Sequence, residues 1–149
     1  MLTYELVREL FSYDPDTGIL IKYYKQCGAV IGHTITYKGA LFQKTAIIWL
    51  YCYGSWPKNL IDHKDRNRDN NKIENLREAT YSQNGFNQER VKPYGHKGIT
   101  FDASRAKKWR AQIRIKGIKV NLGRFYTLEE AAEAYCFAAL EHQGEFMCL

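Results

Sequence analysis

From Trp109 to Phe125 the chain alternates apolar and polar residues on both sides of a Lys116-Gly117 pair, and that pattern leaves little choice of fold. Side chains on a strand point alternately to opposite faces. One face therefore carries Trp109, Ala111, Ile113 and Ile115, and the other Arg110, Gln112, Arg114 and Lys116. Lys-Gly between two such runs predicts a tight hairpin turn, after which Val120 and Leu122 fall inward and Lys119 and Asn121 outward. Gly98 to Asp102 supplies a further strand. Thr127, with Glu130 three places on, is a capping box opening a helix, and Ala131, Ala134, Tyr135, Ala138 and Ala139 give that helix a small-residue stripe suited to close packing. The segment is predicted as a three-stranded antiparallel sheet packed on one helix.

Upstream the pattern is more broken. Thr3 can cap a short helix with Leu6, Val7, Leu10 and Phe11 on one face, and Tyr13-Asp-Pro-Asp-Thr-Gly18 reads as a tight turn. Ile19 to Tyr24 is a predicted strand. Val30-Ile31, Ile35 to Tyr37 and Ala40 to Phe42 are short β-like pieces, Thr45 to Tyr53 an apolar helix closed by Gly54 and Pro57. Leu60-Ile61 is too short for a free-standing strand, Lys64 to Lys72 is a polar loop, and Ile73 to Asn87 reads as a turn followed by a helix. Glu89 to Gly98, with Pro93 and Gly95, makes a linker. The expected division is 1–93 and 94–149, in an α+β chain.

The net charge of +6 is unevenly spread. Between Glu89 and Phe125 eleven basic residues stand against two acidic ones, a surplus of nine that leaves the remainder at −3. That footprint points to a polyanion held by the tail. Aromatic residues at 14% argue against disorder. No apolar run approaches the roughly 18 residues of a membrane span, and the start lacks the regions of a signal peptide, so a cytoplasmic location is expected. Cys27, Cys52, Cys136 and Cys148 form no C-x-x-C pair and indicate neither a zinc knuckle nor a disulfide framework. No protein partner is indicated.

Phosphodiester hydrolysis needs a base to activate water, a hard cation to neutralise charge on the leaving oxygen, and oxygen ligands for that cation. Residues 62 to 84 offer all of these. Asp62 supplies a carboxylate and Asn84 an amide carbonyl, donors suited to Mg2+ or Mn2+. His63 is a candidate base whose ordinary pKa lies near working pH. Neighbours on a strand diverge, however, so Asp62 and His63 serve one site only if the strand ends or bends there.

The run Ile61-Asp-His-Lys-Asp-Arg-Asn-Arg-Asp-Asn-Asn-Lys-Ile-Glu-Asn-Leu-Arg77, followed by Ala79-Thr-Tyr-Ser-Gln-Asn84 and Asn87, closely resembles the HNH endonucleases of phage and intron-homing type. Leu2-Thr-Tyr-Glu and Phe11-Ser-Tyr-Asp-Pro-Asp-Thr-Gly18 are similar to the lead-in of many phage members. The resemblance implies a two-stranded ribbon and a helix around one divalent ion, with Asp62 and Asn84 as metal ligands, His63 as general base and Asn75 as the residue that orients His63. Relatives often carry His-Arg-Leu before the Trp of the preceding helix, where this chain has Thr45-Ala-Ile-Ile before Trp49.

Tyr94 to Gly144 resembles the DNA-binding domain of plant ethylene-response factors, the APETALA type. The likeness is carried by Lys97-Gly-Ile99, Lys108-Trp-Arg-Ala-Gln-Ile-Arg114, Leu122-Gly-Arg-Phe125, Thr127-Leu-Glu-Glu-Ala-Ala132, and Ala134-Tyr135 to Ala138-Ala139. It implies a sheet lying in the major groove of double-stranded DNA, with Gln112, Arg114, Lys119 and Asn121 at base-contact positions and Lys97, Thr100 and Arg110 as further contacts. Together the two likenesses imply a metal-dependent DNA endonuclease of a phage or mobile element; a single HNH centre would cut one strand per encounter, with nick and double-strand break both open. Two alternatives stay open at this point: a sequence-specific DNA-binding regulator with an inert HNH core, and a basic face that binds phosphate without selectivity.

Overall fold

The computed structural model describes residues 2–24, 27–88 and 94–147. Linker residues 89–93, with the expected boundary near 93, lie outside them, as do Cys148 and the side chain of Cys27. Chain contacts divide the molecule into two compact units, Met1–Tyr81 and Ser82–Leu149.

The first unit opens with helix α1 (Tyr4–Leu10), where the Thr3 hydroxyl accepts from the Leu6 amide as a cap. Phe11 does not extend that helix as expected. It begins strand β1 (Phe11–Asp14), which pairs antiparallel with β2 (Ile19–Tyr24), and β2 in turn pairs with β3 (Cys27–Val30). The turn between β1 and β2 is the Asp-Pro-Asp-Thr-Gly segment, pinned by the Asp14 carboxylate accepting from the Thr17 hydroxyl at 2.6 Å and the Asp16 amide at 3.0 Å. A hairpin of β4 (Thr34–Tyr37) and β5 (Ala40–Gln43) leads into helix α2 (Lys44–Tyr53).

Next comes a two-stranded ribbon, β6 (Leu60–His63) with β7 (Leu76–Ala79), as the family likeness implied and where residue pattern alone offered a fragment at Leu60-Ile61 and a turn after Ile73. Leu76 of the ribbon shares one buried cluster with Leu2, Val7, Phe11, Leu20, Ile35, Ile47, Ile48 and Leu50. Full burial of such a side chain is worth about 1.5–3 kcal/mol. The ribbon is thus anchored by the whole N-terminal unit.

Helix α3 (Tyr81–Asn87) follows, and from Ser82 onward the chain belongs to the second unit. There β8 (Ile99–Phe101), β9 (Trp109–Ile115) and β10 (Ile118–Phe125) form an antiparallel sheet with β9 in the centre, packed on helix α4 (Leu128–Gln143). The predicted three-stranded sheet on one helix is what the chain forms. Lys116 and Gly117 both take positive φ, 49° and 84°, as a two-residue hairpin turn requires. The Thr127 hydroxyl accepts from the Glu130 amide at 3.1 Å, while the Glu130 carboxylate reaches back to the Tyr126 amide, one residue before the usual partner.

Ile113 packs with Tyr135 and Ala139, and Ile99 and Ala111 with Ala131. The small-residue stripe is what lets α4 lie this close. Gly98 shows how close: at φ +70 it passes so near the Gln112 carbonyl and the Tyr135 ring that a Cβ there would overlap both. Val120 faces inward opposite Ile113, yet stays 36% exposed because β10 is an edge strand.

Candidate active site and nucleic-acid face

The ribbon strand ends at His63, so Asp62 lies within it and His63 at its end. Within it Asp62 stands directly opposite Arg77. Both are buried, Asp62 to 7% and Arg77 to 8% exposure, and the guanidinium places Nε at 3.1 Å and Nη2 at 3.0 Å from Asp62 Oδ2. Burying a carboxylate is costly unless it is paired and hydrogen-bonded, and Arg77 does both. One residue on, the chain turns: the Arg66 amide donates to the His63 carbonyl at 3.0 Å, with Arg66 at φ +66. Asp62 therefore points into the ribbon and half-buried His63 toward the loop.

That loop, Lys64 to Lys72, is held by Asp65 and Asn75. The Asp65 carboxylate accepts from the side-chain amides of Asn70 at 2.7 Å and Asn75 at 2.8 Å and from the Asn67 backbone amide at 2.9 Å. Desolvation alone would push the Asp65 carboxyl up, but these hydrogen bonds, with the nearby His63, hold it below its usual value. Asn75 grips the main chain just after His63 at two points. Its carbonyl accepts from the Lys64 amide at 2.8 Å, and its Oδ1 accepts from the Asp65 amide at 3.0 Å. Its Nδ2 also donates to the Asn70 carbonyl at 2.8 Å. Asn75 thus steers the backbone on which His63 is mounted.

The side chain against the imidazole is that of Asn71, whose Oδ1 lies 3.2 Å from His63 Nε2. Its orientation is fixed by its own donor end, since Asn71 Nδ2 points to the Asp69 carbonyl at 3.0 Å and the Arg68 carbonyl at 3.4 Å. With the nitrogen so committed, the oxygen must face the ring and accept from Nε2–H, which makes Nδ1 the basic nitrogen of the neutral imidazole. Asn71, Asp65 and Arg77 carry this geometry and were not singled out from the sequence. A signal was present: Asn71 belongs to the N-N-x-x-E-N-L-R pattern.

Asp62, His63 and Asn75 all belong to the first unit, Asp62 paired with Arg77 and Asn75 with the loop after His63; Asn84 is half-buried on α3, in the second. Taken singly, the Asp62 carboxylate and the Asn84 amide oxygen are donors of the kind a hard divalent cation takes. Mg2+ keeps several waters and takes one or two carboxylates, so it needs no cage of acidic or histidine ligands. Among the described residues no group of three or more His, Cys, Asp or Glu is gathered as one.

On the second unit, the outer face of the sheet carries the expected basic and amide side chains as rungs. Lys119 stands opposite Arg114, Asn121 opposite Gln112, and Arg124 opposite Arg110, which also faces Thr100. A bulge between Asn121 and Gly123 resets the register and brings Arg124 onto this face. The Gln112 amide oxygen, turned toward Arg110, accepts from its guanidinium. Arg124 pairs with Asp102 at 2.9 Å, and Arg114, Lys119 and Asn121 are exposed. Lys97 is placed differently, its Nζ donating to the Phe86 carbonyl at the end of α3 at 2.8 Å. Among the described residues no helix is long and apolar enough to cross a membrane.

Residues 44–86, from α2 through the ribbon to α3, match the family model of HNH endonucleases. Most of the chain is similar to an uncharacterised HNH endonuclease of Acanthamoeba polyphaga mimivirus, 30% identical over 133 residues that cover 88% of this chain and 69% of that protein. No solved structure matches significantly. The family match and this relative agree, and the chain belongs to the HNH endonuclease family.

Proposed function

We propose that the protein is a metal-dependent endonuclease of double-stranded DNA, held on its substrate by the outer face of the second unit. The observation that carries this is His63 at the end of β6, with Nε2 committed to Asn71 and the buried Asp62 carboxylate beside it in sequence. In the proposed reaction Nδ1 of His63 takes the proton from a water attacking phosphorus in line with the 3′ oxygen, which departs and leaves a 5′ phosphate. A divalent ion, Mg2+ or Mn2+, supplies the charge neutralisation such a leaving group needs. Its proposed protein ligands are Asp62 and, on the family resemblance, Asn84. Asn75 holds the loop that presents His63.

Supercoiled plasmid incubated with the protein and Mg2+ or Mn2+ should be converted to nicked circles, and a chelator should stop the conversion. Binding without any cleavage in either metal would favour a DNA-binding regulator built on an inert core.

The tail's role rests on its charge and on its likeness to the plant DNA-binding domain. Like charges directly opposite on a sheet are unfavourable, so the Arg114–Lys119 rung suits a surface that meets phosphate. Gln112 and Asn121 side by side are amides of the kind that pair with adenine, and Arg114 of the kind that pairs with guanine. Replacing both Arg114 and Lys119 by alanine should make the log-log salt dependence of DNA binding shallower by about 2, at roughly 0.9 per phosphate contact. Gln112→Ala should leave that slope in place and redistribute cut sites, as a lost base contact costs about 1–3 kcal/mol of discrimination. An unchanged slope in the double variant would remove the tail from the interface.

A further inference from the structure

The β1–β2 hairpin touches the loop at Asn71, the residue that meets the imidazole. Tyr13, buried to 8% exposure, sends its hydroxyl to the Asn71 carbonyl at 2.9 Å. From the same hairpin, Gly18 lies flat on the backbone of Asn71 and Lys72. At φ +72, a Cβ on it would come within 2.6 Å of the Lys72 nitrogen and 2.7 Å of the Asn71 carbonyl carbon, and main chain cannot move aside as a side-chain tip can. Asn71 itself is 2% exposed. Pressed from one side by Gly18 and hydrogen-bonded by Tyr13, it has its amide oxygen left to meet His63 Nε2.

We propose that Tyr13 and Gly18 are positioning residues of the nuclease: they seat Asn71, and Asn71 fixes the orientation and the tautomer of His63. The proposal rests on His63 being the general base. Burial pushes the Tyr13 phenol up to about 12, with the Ile73 amide opposing, so the hydroxyl remains a donor throughout any usable pH range. A neutral imidazole can carry its proton on either nitrogen, and only the tautomer protonated at Nε2 presents Nδ1 as a base. Without Asn71 the Nε2–H loses this acceptor, and the unproductive tautomer is no longer disfavoured by it. The hairpin therefore acts on chemistry through a chain of contacts from Tyr13 to Asn71 to His63, and the N-terminal lead-in is part of the working enzyme.

The test uses the full-length chain with Tyr13→Phe, Asn71→Ala, the double variant and His63→Ala, on supercoiled plasmid in Mg2+ under single-turnover conditions. Tyr13→Phe keeps the ring in the core and removes only the hydroxyl. Asn71→Ala should slow cleavage on the order of 10²-fold and Tyr13→Phe about tenfold, both at unchanged DNA affinity, as expected for a misplaced reacting group. Because Tyr13 acts through Asn71, the double variant should be no slower than Asn71→Ala alone; effects that multiply would overturn the proposal. Nitrogen NMR of the His63 ring in uncut, metal-free protein gives a readout that needs no activity. Nε2 should be protonated in wild type, and Asn71→Ala and Tyr13→Phe should show mixed tautomers. A wild-type ring spectrum in Tyr13→Phe would also overturn it. If His63→Ala cleaves at the wild-type rate, the base assignment fails instead; if His63→Ala is inactive while Tyr13→Phe is fully active, only the clamp fails.

Discussion

His63→Ala is expected to abolish nicking of supercoiled DNA while DNA affinity stays within about twofold of wild type, because a neutral base contributes to the barrier and little to ground-state binding. The loss should be at least about 10²-fold, the lower end of what a positioned general base contributes. His63 is half-buried, its backbone is held by Asn75, and its ring meets Asn71. Alanine there removes the imidazole and leaves the loop's own hydrogen bonds among Asp65, Asn70 and Asn75 in place. Matching unfolding midpoints for wild type and variant would show that chemistry alone was removed. Cleavage at the wild-type rate would assign the proton transfer to another group.

Asp62→Ala should behave differently, and this follows from the ion pair rather than from any metal. Removing the carboxylate leaves Arg77, itself 8% exposed, without the oxygen its Nε and Nη2 reach. Breaking one partner of a buried pair typically costs about 3–5 kcal/mol, a large share of the roughly 5–15 kcal/mol that holds a domain together. Chemical denaturation should therefore show a strongly lowered midpoint. Loss of cleavage in Asp62→Ala would then mix two causes. Asp62→Asn keeps an oxygen opposite Arg77 and is the better probe of metal dependence, with activity expected to rise as Mn2+ is increased. Asp62→Ala combined with Arg77→Met should recover much of the stability while cleavage stays absent, since an apolar pair often replaces a buried ion pair without loss. An unchanged midpoint in Asp62→Ala would mean that the Asp62–Arg77 pair contributes nothing to the fold.

The second unit was legible because its information is local. β9 and β10 are joined by two residues, so alternation and turn chemistry determine the register together, and the cap at Thr127 marks where the covering helix begins. The ribbon was harder. β6 and β7 have four residues each and are separated by the polar loop, so neither carries enough alternation to be read alone, and their pairing is sustained by a core reaching back to Leu2 and Val7. Family likeness implied a ribbon where periodicity could not. β1 was hidden for a similar reason: Phe11 continues the apolar spacing of α1 and is diverted by its pairing with Lys22.

In the site, residue type drew attention to Asp62, His63 and Asn84, and the family likeness to Asn75. Side-chain geometry added what spacing does not encode, namely which amide meets the ring. Asn70, Asn71 and Asn75 are chemically alike, and only the folded loop separates the two that serve Asp65 from the one that serves His63. Lys97 illustrates the same limit of pattern, since a lysine near a basic sheet can equally close the end of a helix.

The seam between Gly18 and the backbone of Asn71 and Lys72 bears on how this nuclease can be cut and reused. The family match begins at Lys44, which suggests a small cassette for transplantation into other scaffolds. A cassette starting there would leave behind Tyr13, Gly18 and the apolar residues on which Leu76 rests. Its loop would keep every residue named in the motif and lose the surface against which that loop is moulded. For fusion or domain-exchange work, the transferable piece must therefore include the hairpin that begins at Phe11 and, before it, helix α1 with Leu2 and Val7.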